Sequence, residues 1–276
     1  RRFMTPGIFA KTFNRASAGE ALTAARNAGF RTVQFNMACA GLPSMPDQIP
    51  ASVLEAVREA IRKTPMPVAG LSGTFNMIHP DPALRRTGLQ RLEVLAPACQ
   101  YLGTSLVTLC TGSRDPEDQW RTHPDNQSAE AWRDLLESLE TALDIAERHD
   151  LLLGIEPELG NVISSTARAR RLLDELQSSR LRIVFDPANL FEQASAQEIR
   201  HQIARGIDEL AESISMVHIK DRTASGGFCA AGKGIIPFDF LIELLRKSGF
   251  DGPLVAHGLD EEEAGEVARF ILYLSR

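Results

Sequence analysis

The sequence predicts a single-domain (β/α)8 TIM barrel spanning residues 1–276. Three observations carry that expectation. Short apolar runs alternate with longer amphipathic runs, and the cycle repeats eight times. The short runs are almost continuously apolar, which suits parallel strands covered on both faces. No linker, low-complexity tract or abrupt charge shift divides the chain. Eight units of about 30 residues match a closed barrel. A doubly wound open sheet is the alternative, but no G-x-G-x-x-G follows the first strand.

The first strand is read in GIFAKTF (7–13) and the first helix in SAGEALTAARNAG (17–29). Ser17 and Glu20 have capping-box spacing there, and Gly29 is placed to stop the helix. TVQFNMA (32–38) leads into ASVLEAVREAIRKT (51–64). PVAGLSGTFN (67–76) leads into the long helical run 82–103, which Pro97 is expected to kink or divide. SLVTLC (105–110) precedes the loop 112–126, long enough to suggest a lid or binding loop, and then helix 128–150. The second half keeps step: strands 151–156, 181–186, 214–220 and 253–258, each followed by a helix, at 165–179, 196–213, 238–249 and 260–275.

The chain carries 30 Lys and Arg against 36 Asp and Glu, a formal net charge of −6. That balance gives no electrostatic case for binding nucleic acid. No apolar run reaches the roughly 18 residues of a membrane span. The opening RRFMTPGIFAKTF has two arginines, but its apolar stretch is too short and broken for a signal peptide. Cys39, Cys99, Cys110 and Cys229 form no C-x-x-C pair and are expected as reduced thiols. Together these features predict a soluble cytoplasmic protein.

A (β/α)8 barrel places its chemistry at the C-terminal ends of its strands. Four successive apolar runs end in Glu156, Asp186, His218 and His257. On adjacent strands these side chains converge on one mouth. Two carboxylates and two imidazoles suit one divalent ion such as Mn²⁺, Zn²⁺, Co²⁺, Fe²⁺ or Mg²⁺ better than Ca²⁺. Glu158, two residues beyond Glu156, competes with it for the role of functional carboxylate, but Pro157 is expected to break the strand between them. Asn76, His79 and Arg114 stand near the ends of strands three and four as candidate hydroxyl or anion contacts. Trp120, in the long loop, is a candidate for stacking on a sugar face. Lys220 is a candidate for neutralising an oxyanion, with a surface ion pair to Asp221 as its plainer reading. Lys233, in the flexible AGKG loop, is a candidate phosphate or carboxylate contact. The acidic run Asp260–Glu263 needs only the role of a helix N-terminus.

The stretches LLLGIEPELGNV, RIVFDPANLF, SMVHIKDR and AGKGIIPFDFLIELLRKSGFDGPLVAHG together resemble the sugar phosphate isomerase/epimerase family of the xylose isomerase-like TIM barrel superfamily. The resemblance spans essentially the whole chain. It implies one divalent metal held by Glu156, Asp186 and His218, and a carbohydrate or related hydroxy-carbonyl substrate converted through an enediolate. The family's fourth ligand is a glutamate that also serves as an acid/base. Here that position is His257, whose role as ligand, acid/base or both is left open. Glu156 is the expected base. A lyase, either dehydratase or decarboxylase, is the alternative chemistry. A remoter one is an apurinic endonuclease, but Asn189 stands where its Asp-x-x-His histidine is expected, and six histidines are few for a three-metal cluster. Related barrels often dimerise, which leaves a homodimer open.

Overall fold

The computed structural model describes residues 3–276, so the two arginines that open the sequence lie outside the described residues. The strands follow the expected order: β1 (Thr5–Phe9), β2 (Thr32–Phe35), β3 (Val68–Ser72), β4 (Leu106–Leu109), β5 (Leu152–Ile155), β6 (Leu181–Phe185) and β7 (Ile214–Ile219). A short antiparallel pair follows, β8 (Asp221–Arg222) and β9 (Phe228–Cys229), before the eighth barrel strand, β10 (Pro253–Ala256). The barrel closes through parallel pairing of β1 with β10 and of β10 with β7. The helices are α1 (Ala18–Ala28), α2 (Ala51–Lys63), α3 (Pro82–Leu95), α4 (Ala98–Leu102), α5 (Ala129–Arg148), α6 (Thr166–Leu176), α7 (Ala196–Leu210), α8 (Phe238–Lys247) and α9 (Ala264–Leu274).

Local chemistry accounts for the helix ends. Pro97 separates α3 from α4, since proline removes a backbone donor and clashes with the preceding turn. Ser17 Oγ accepts from the Glu20 amide, and Gly29 ends α1 with a φ of 112°. The Glu20 carboxylate reaches Ala16 N instead of the cap itself, so that box is half formed. The reciprocal box occurs at Ser195 and Glu198, opening α7. The helices bury one face against the barrel. In α5 that face includes Leu135, Leu139, Ala142 and Ile145. Truncating a residue such as Leu139 to Ala would cost about 2–5 kcal/mol. Among the described residues, no helix is long and apolar enough to cross a membrane.

The barrel interior sets the floor of the site. Leu106, Val184, Met216 and Val255 form a buried cluster contributed by β4, β6, β7 and β10. Met216 reaches across: a Cβ placed on Gly70 of β3 would lie 3.2 Å from its Cε. Strand side chains alternate sides, so the residue two further along points the same way. Two steps beyond the four apolar residues stand Thr108, Asp186, His218 and His257. The interior therefore turns from apolar to polar within one step towards the C-terminal end.

Candidate metal centre and cavity

His218 sits in the middle of the polar layer, 1 % exposed. Its Nε2 lies 2.8 Å from Gln34 Oε1. Gln34 Nε2 donates to Ser72 Oγ at 2.9 Å and to Thr108 Oγ1 at 3.2 Å, which turns its oxygen towards the imidazole. In the neutral ring Nε2 then carries the proton. The Nδ1 lone pair faces Glu156 Oε1 at 3.2 Å and Asp186 Oδ2 at 3.8 Å. This is the tautomer that a cation needs, held by a partner on the far nitrogen. Without a cation the carboxylates draw a proton onto that lone pair. Burial opposes the charge, but Glu156 and Asp186 outweigh it and raise the imidazole pKa to about 9.

Glu156, Asp186 and His218 each offer a ligand atom, and these atoms lie within 4.8 Å of one another. Asp186 Oδ1 accepts from Ala188 N at 3.0 Å, whereas its Oδ2 is buried and accepts no hydrogen bond. Lys220 Nζ lies 3.3 Å from that oxygen, an ion-pair distance without hydrogen-bond alignment. A buried carboxylate oxygen left short of a partner, in a carboxylate–carboxylate–imidazole set, fits a divalent ion.

The ammonium of Lys220 donates to Asn189 Oδ1 at 2.7 Å, and Asn189 Nδ2 donates to Glu156 Oε1 at 2.7 Å. Burial opposes the lysine's charge, but Asp186, Glu156 and Glu158 outweigh it and raise its pKa. Glu156, Asn189 and Lys220 open onto a cavity of about 520 Å³, whose lining also includes Gln34, Glu158, His257, Trp120 and Phe228. A larger cavity of about 740 Å³ lies at the opposite, N-terminal end of the strands, around Thr32, Val68 and Leu106, away from this chemistry.

The family described as xylose isomerase-like TIM barrel matches residues 22–273. The chain belongs to that family. L-ribulose-5-phosphate 3-epimerase UlaE of Escherichia coli (strain K12) is 23% identical over 223 residues, covering 79% of this chain and 73% of the relative. Among solved structures, 3-keto-D-glucoside 4-epimerase YcjR from E. coli superposes with a TM-score of 0.77 at 20% identity, covering 98% of each chain. D-allulose 3-epimerase from Methylomonas sp. superposes with a TM-score of 0.75 at 16% identity, covering 99% of each chain. At these identities the superpositions establish the shared barrel.

Within this xylose isomerase-like barrel, the residues singled out from sequence fall into two groups. Glu156, Asp186, His218 and Lys220 converge. His257 faces the same cavity but stands apart from the three candidate ligands: its ring stacks on Phe9 at 4.1 Å between centroids and lies 6.0 Å from His218. Burial, then the charges of Lys220 and His218, push its pKa down to about 3, so the ring is neutral. Glu158 also lines the cavity despite Pro157, and burial together with Glu156 raises its pKa to about 7. Trp120 lines the cavity too.

The other candidates are engaged elsewhere. Asn76 donates to Ser113 O at 2.7 Å and accepts from the amides of Ser113 and Ile78. His79 Nε2 meets Pro116 O at 3.0 Å. Arg114 donates to Ile78 O at 2.9 Å and pairs with Asp134. These three tie the loop after β3 to the loop after β4 and do not line the cavity. Lys233 turns outward to Glu263 at 3.0 Å and Glu266 at 3.6 Å. The expected surface pair of Lys220 with Asp221 is replaced by something else: both are buried, and Asp221 accepts four backbone amides. Strand-end reasoning passed over Gln34 and gave Asn189 no place in the site. Gln34 had a signal, a lone amide inside the apolar run TVQF.

Proposed function

We infer that this chain is a divalent-metal-dependent isomerase or epimerase of a sugar, keto-sugar or related hydroxy-carbonyl compound. The observation that carries the reading is the buried Glu156–Asp186–His218 group, whose Asp186 Oδ2 accepts no hydrogen bond and whose Glu156 lines the cavity. The names of the three relatives described above, each a sugar epimerase, support it. Glu156, Asp186 and His218 would hold the ion. A divalent ion there supplies Lewis-acid polarisation of a carbonyl and positive charge for a developing enediolate.

The chain's own residues supply the rest. Glu156 is the base, and the amide of Asn189 holds its Oε1. Lys220 stays protonated and lines the cavity, where its ammonium would face the negative charge developing on a substrate oxygen. Glu158, with its raised pKa, faces the same cavity as the second proton carrier. Phe9 and Trp120 contribute apolar surface to the cavity lining.

A lyase is the second reading, favoured by one observation: the strand-eight residue is a neutral imidazole stacked on Phe9, not a second carboxylate opposite Glu156. Incubation of the Mn²⁺-loaded chain with keto-sugars in D₂O separates the two. Deuterium on the carbon beside the carbonyl, with composition otherwise unchanged, supports the isomerase. Loss of water or CO₂ supports the lyase. A chain that binds no divalent ion overturns both.

A further inference from the structure

The cavity wall holds a polar group that the ion site and the proton carriers do not use. Among the described residues, four buried side-chain oxygens accept no hydrogen bond: Asp186 Oδ2, Gln119 Oε1, Gln202 Oε1 and Glu209 Oε2. Gln202 and Glu209 belong to α7, outside the cavity lining. A divalent ion accounts for Asp186. Gln119 lines the same cavity, in the loop between β4 and α5. A buried amide oxygen left unpaired carries a desolvation cost, so such a group in a substrate cavity points to a ligand that pairs with it.

The loop holds that residue in place from both sides. Gln119 O accepts from Asn161 Nδ2 at 2.8 Å. Asn161 is 1 % exposed, and its Oδ1 accepts from the Gly112 amide at 3.1 Å. On one side of Gln119, Asp115 Oδ1 accepts from the amides of Glu117 and Asp118, both at 2.9 Å, and Asp118 Oδ1 accepts from the Trp120 amide at 2.9 Å. On the other, Ser113 Oγ donates to Arg121 O, and Asn126 Nδ2 donates to Gly160 O at 3.0 Å. The backbone around Gln119 is therefore tied to the loops after β4 and β5. The terminal amide torsion of a glutamine is broad, so the group can turn its oxygen or its NH2 towards the cavity while the backbone stays fixed. A carboxamide accepts on its oxygen and donates through its nitrogen, the pattern that pairs with adjacent sugar hydroxyls. A contact whose backbone is fixed before binding loses less freedom on binding.

We propose that the Gln119 side-chain amide is a specificity-determining contact, hydrogen-bonding a hydroxyl pair of the substrate outside its reacting hydroxy-carbonyl unit. This deepens the isomerase reading and rests on it. The test compares the Mn²⁺-loaded wild type with Gln119→Leu and Gln119→Ala in D₂O. The probes are D-fructose, D-tagatose, L-ribulose 5-phosphate and methyl 3-keto-D-glucoside; the first two differ only at the C4 hydroxyl. Solvent exchange is expected with at least one probe in the wild type. Gln119→Leu keeps a similar side-chain volume and removes the unpaired oxygen, so its melting temperature should equal or exceed that of the wild type. Its KM for an exchanged probe should rise roughly tenfold, the scale of lost neutral hydrogen bonds. Its kcat should fall less, and its preference among the probes should narrow. Gln119→Ala should reproduce the rise in KM, which separates loss of the amide from any misfit of leucine. An oxygen satisfied by water alone predicts unchanged KM and unchanged preference in both variants. That result overturns this inference and leaves the isomerase reading standing. A lowered melting temperature in both variants with KM unchanged assigns Gln119 to loop structure and overturns the inference as well. No exchange by the wild type with any probe removes the isomerase reading and this inference with it.

Discussion

Asn189 Nδ2 donates to Glu156 Oε1 at 2.7 Å, and the same amide accepts Lys220 Nζ on its oxygen. One buried side chain thus orients the candidate base and the candidate cation together. Asn189→Ala leaves both charged neighbours short of a partner. The expected loss is about 1–3 kcal/mol of folding stability and about 10–100-fold in divalent-ion affinity. Denaturant melts and a Mn²⁺ titration measure the two effects. Values equal to wild type in both would make the bridge incidental.

Ion binding should stabilise the chain. With Mn²⁺ at about 100 times its Kd, the gain is about 2.7 kcal/mol, visible as a raised melting temperature that EDTA reverses. Asp186→Asn replaces a charged oxygen of the set and should abolish that rise. A wild-type chain whose melting temperature ignores the ion contradicts the assignment of the three ligands.

The metal-free chain should also respond to pH through His218. Its folded-state pKa is raised to about 9, above the ordinary value of 6.5. The stabilisation from this proton is complete below about pH 6.5 and is lost as pH rises through about 9. The ion competes for the same lone pair, so its affinity moves the opposite way and strengthens as pH rises over that window. Melts in EDTA at several pH values, beside ion titrations at the same values, should show opposed trends. Parallel trends would place the titrating group elsewhere.

Gly160 couples two loops at the mouth. A Cβ there would lie 2.1 Å from the backbone oxygen of Trp120, and backbone yields less readily than a side-chain tip. Gly160→Ala should therefore push the loop after β4 away from the loop after β5. The expected cost is about 1–3 kcal/mol of stability, with KM rising more than kcat falls. Thermal melts and steady-state kinetics test this. Unchanged KM would show that the 112–126 loop moves independently of the site.

The barrel and part of its site were legible in the residues. Glu156, Asp186 and His218 each end an apolar run, and parallel pairing carries such ends to one mouth. The same reasoning applied to Asn76, His79 and Arg114 met a different physical constraint. Loop backbone needs hydrogen-bond partners, and these three side chains supply them between the loops after β3 and β4. Gln34 was harder to see because its partner, His218, lies 184 residues away. Asp221 looked like half of a surface ion pair because sequence order does not reveal that a later loop folds its amides onto that carboxylate.

The sequence by itself determined the eightfold alternation, the strand order and four strand-end candidate ligands, Glu156, Asp186, His218 and His257, of which the structure groups the first three. Burial on both faces of a parallel strand imposes a continuous apolar composition, and a polar residue ending such a run stands out. Only the tertiary structure decided what those polar residues do. It laid His257 on Phe9, linked Asn189 to Glu156 and Lys220, and filled the amide-lined loop with Asp221. A side chain's partner is chosen by contacts across the barrel and between loops, and those contacts join residues that are far apart in the chain.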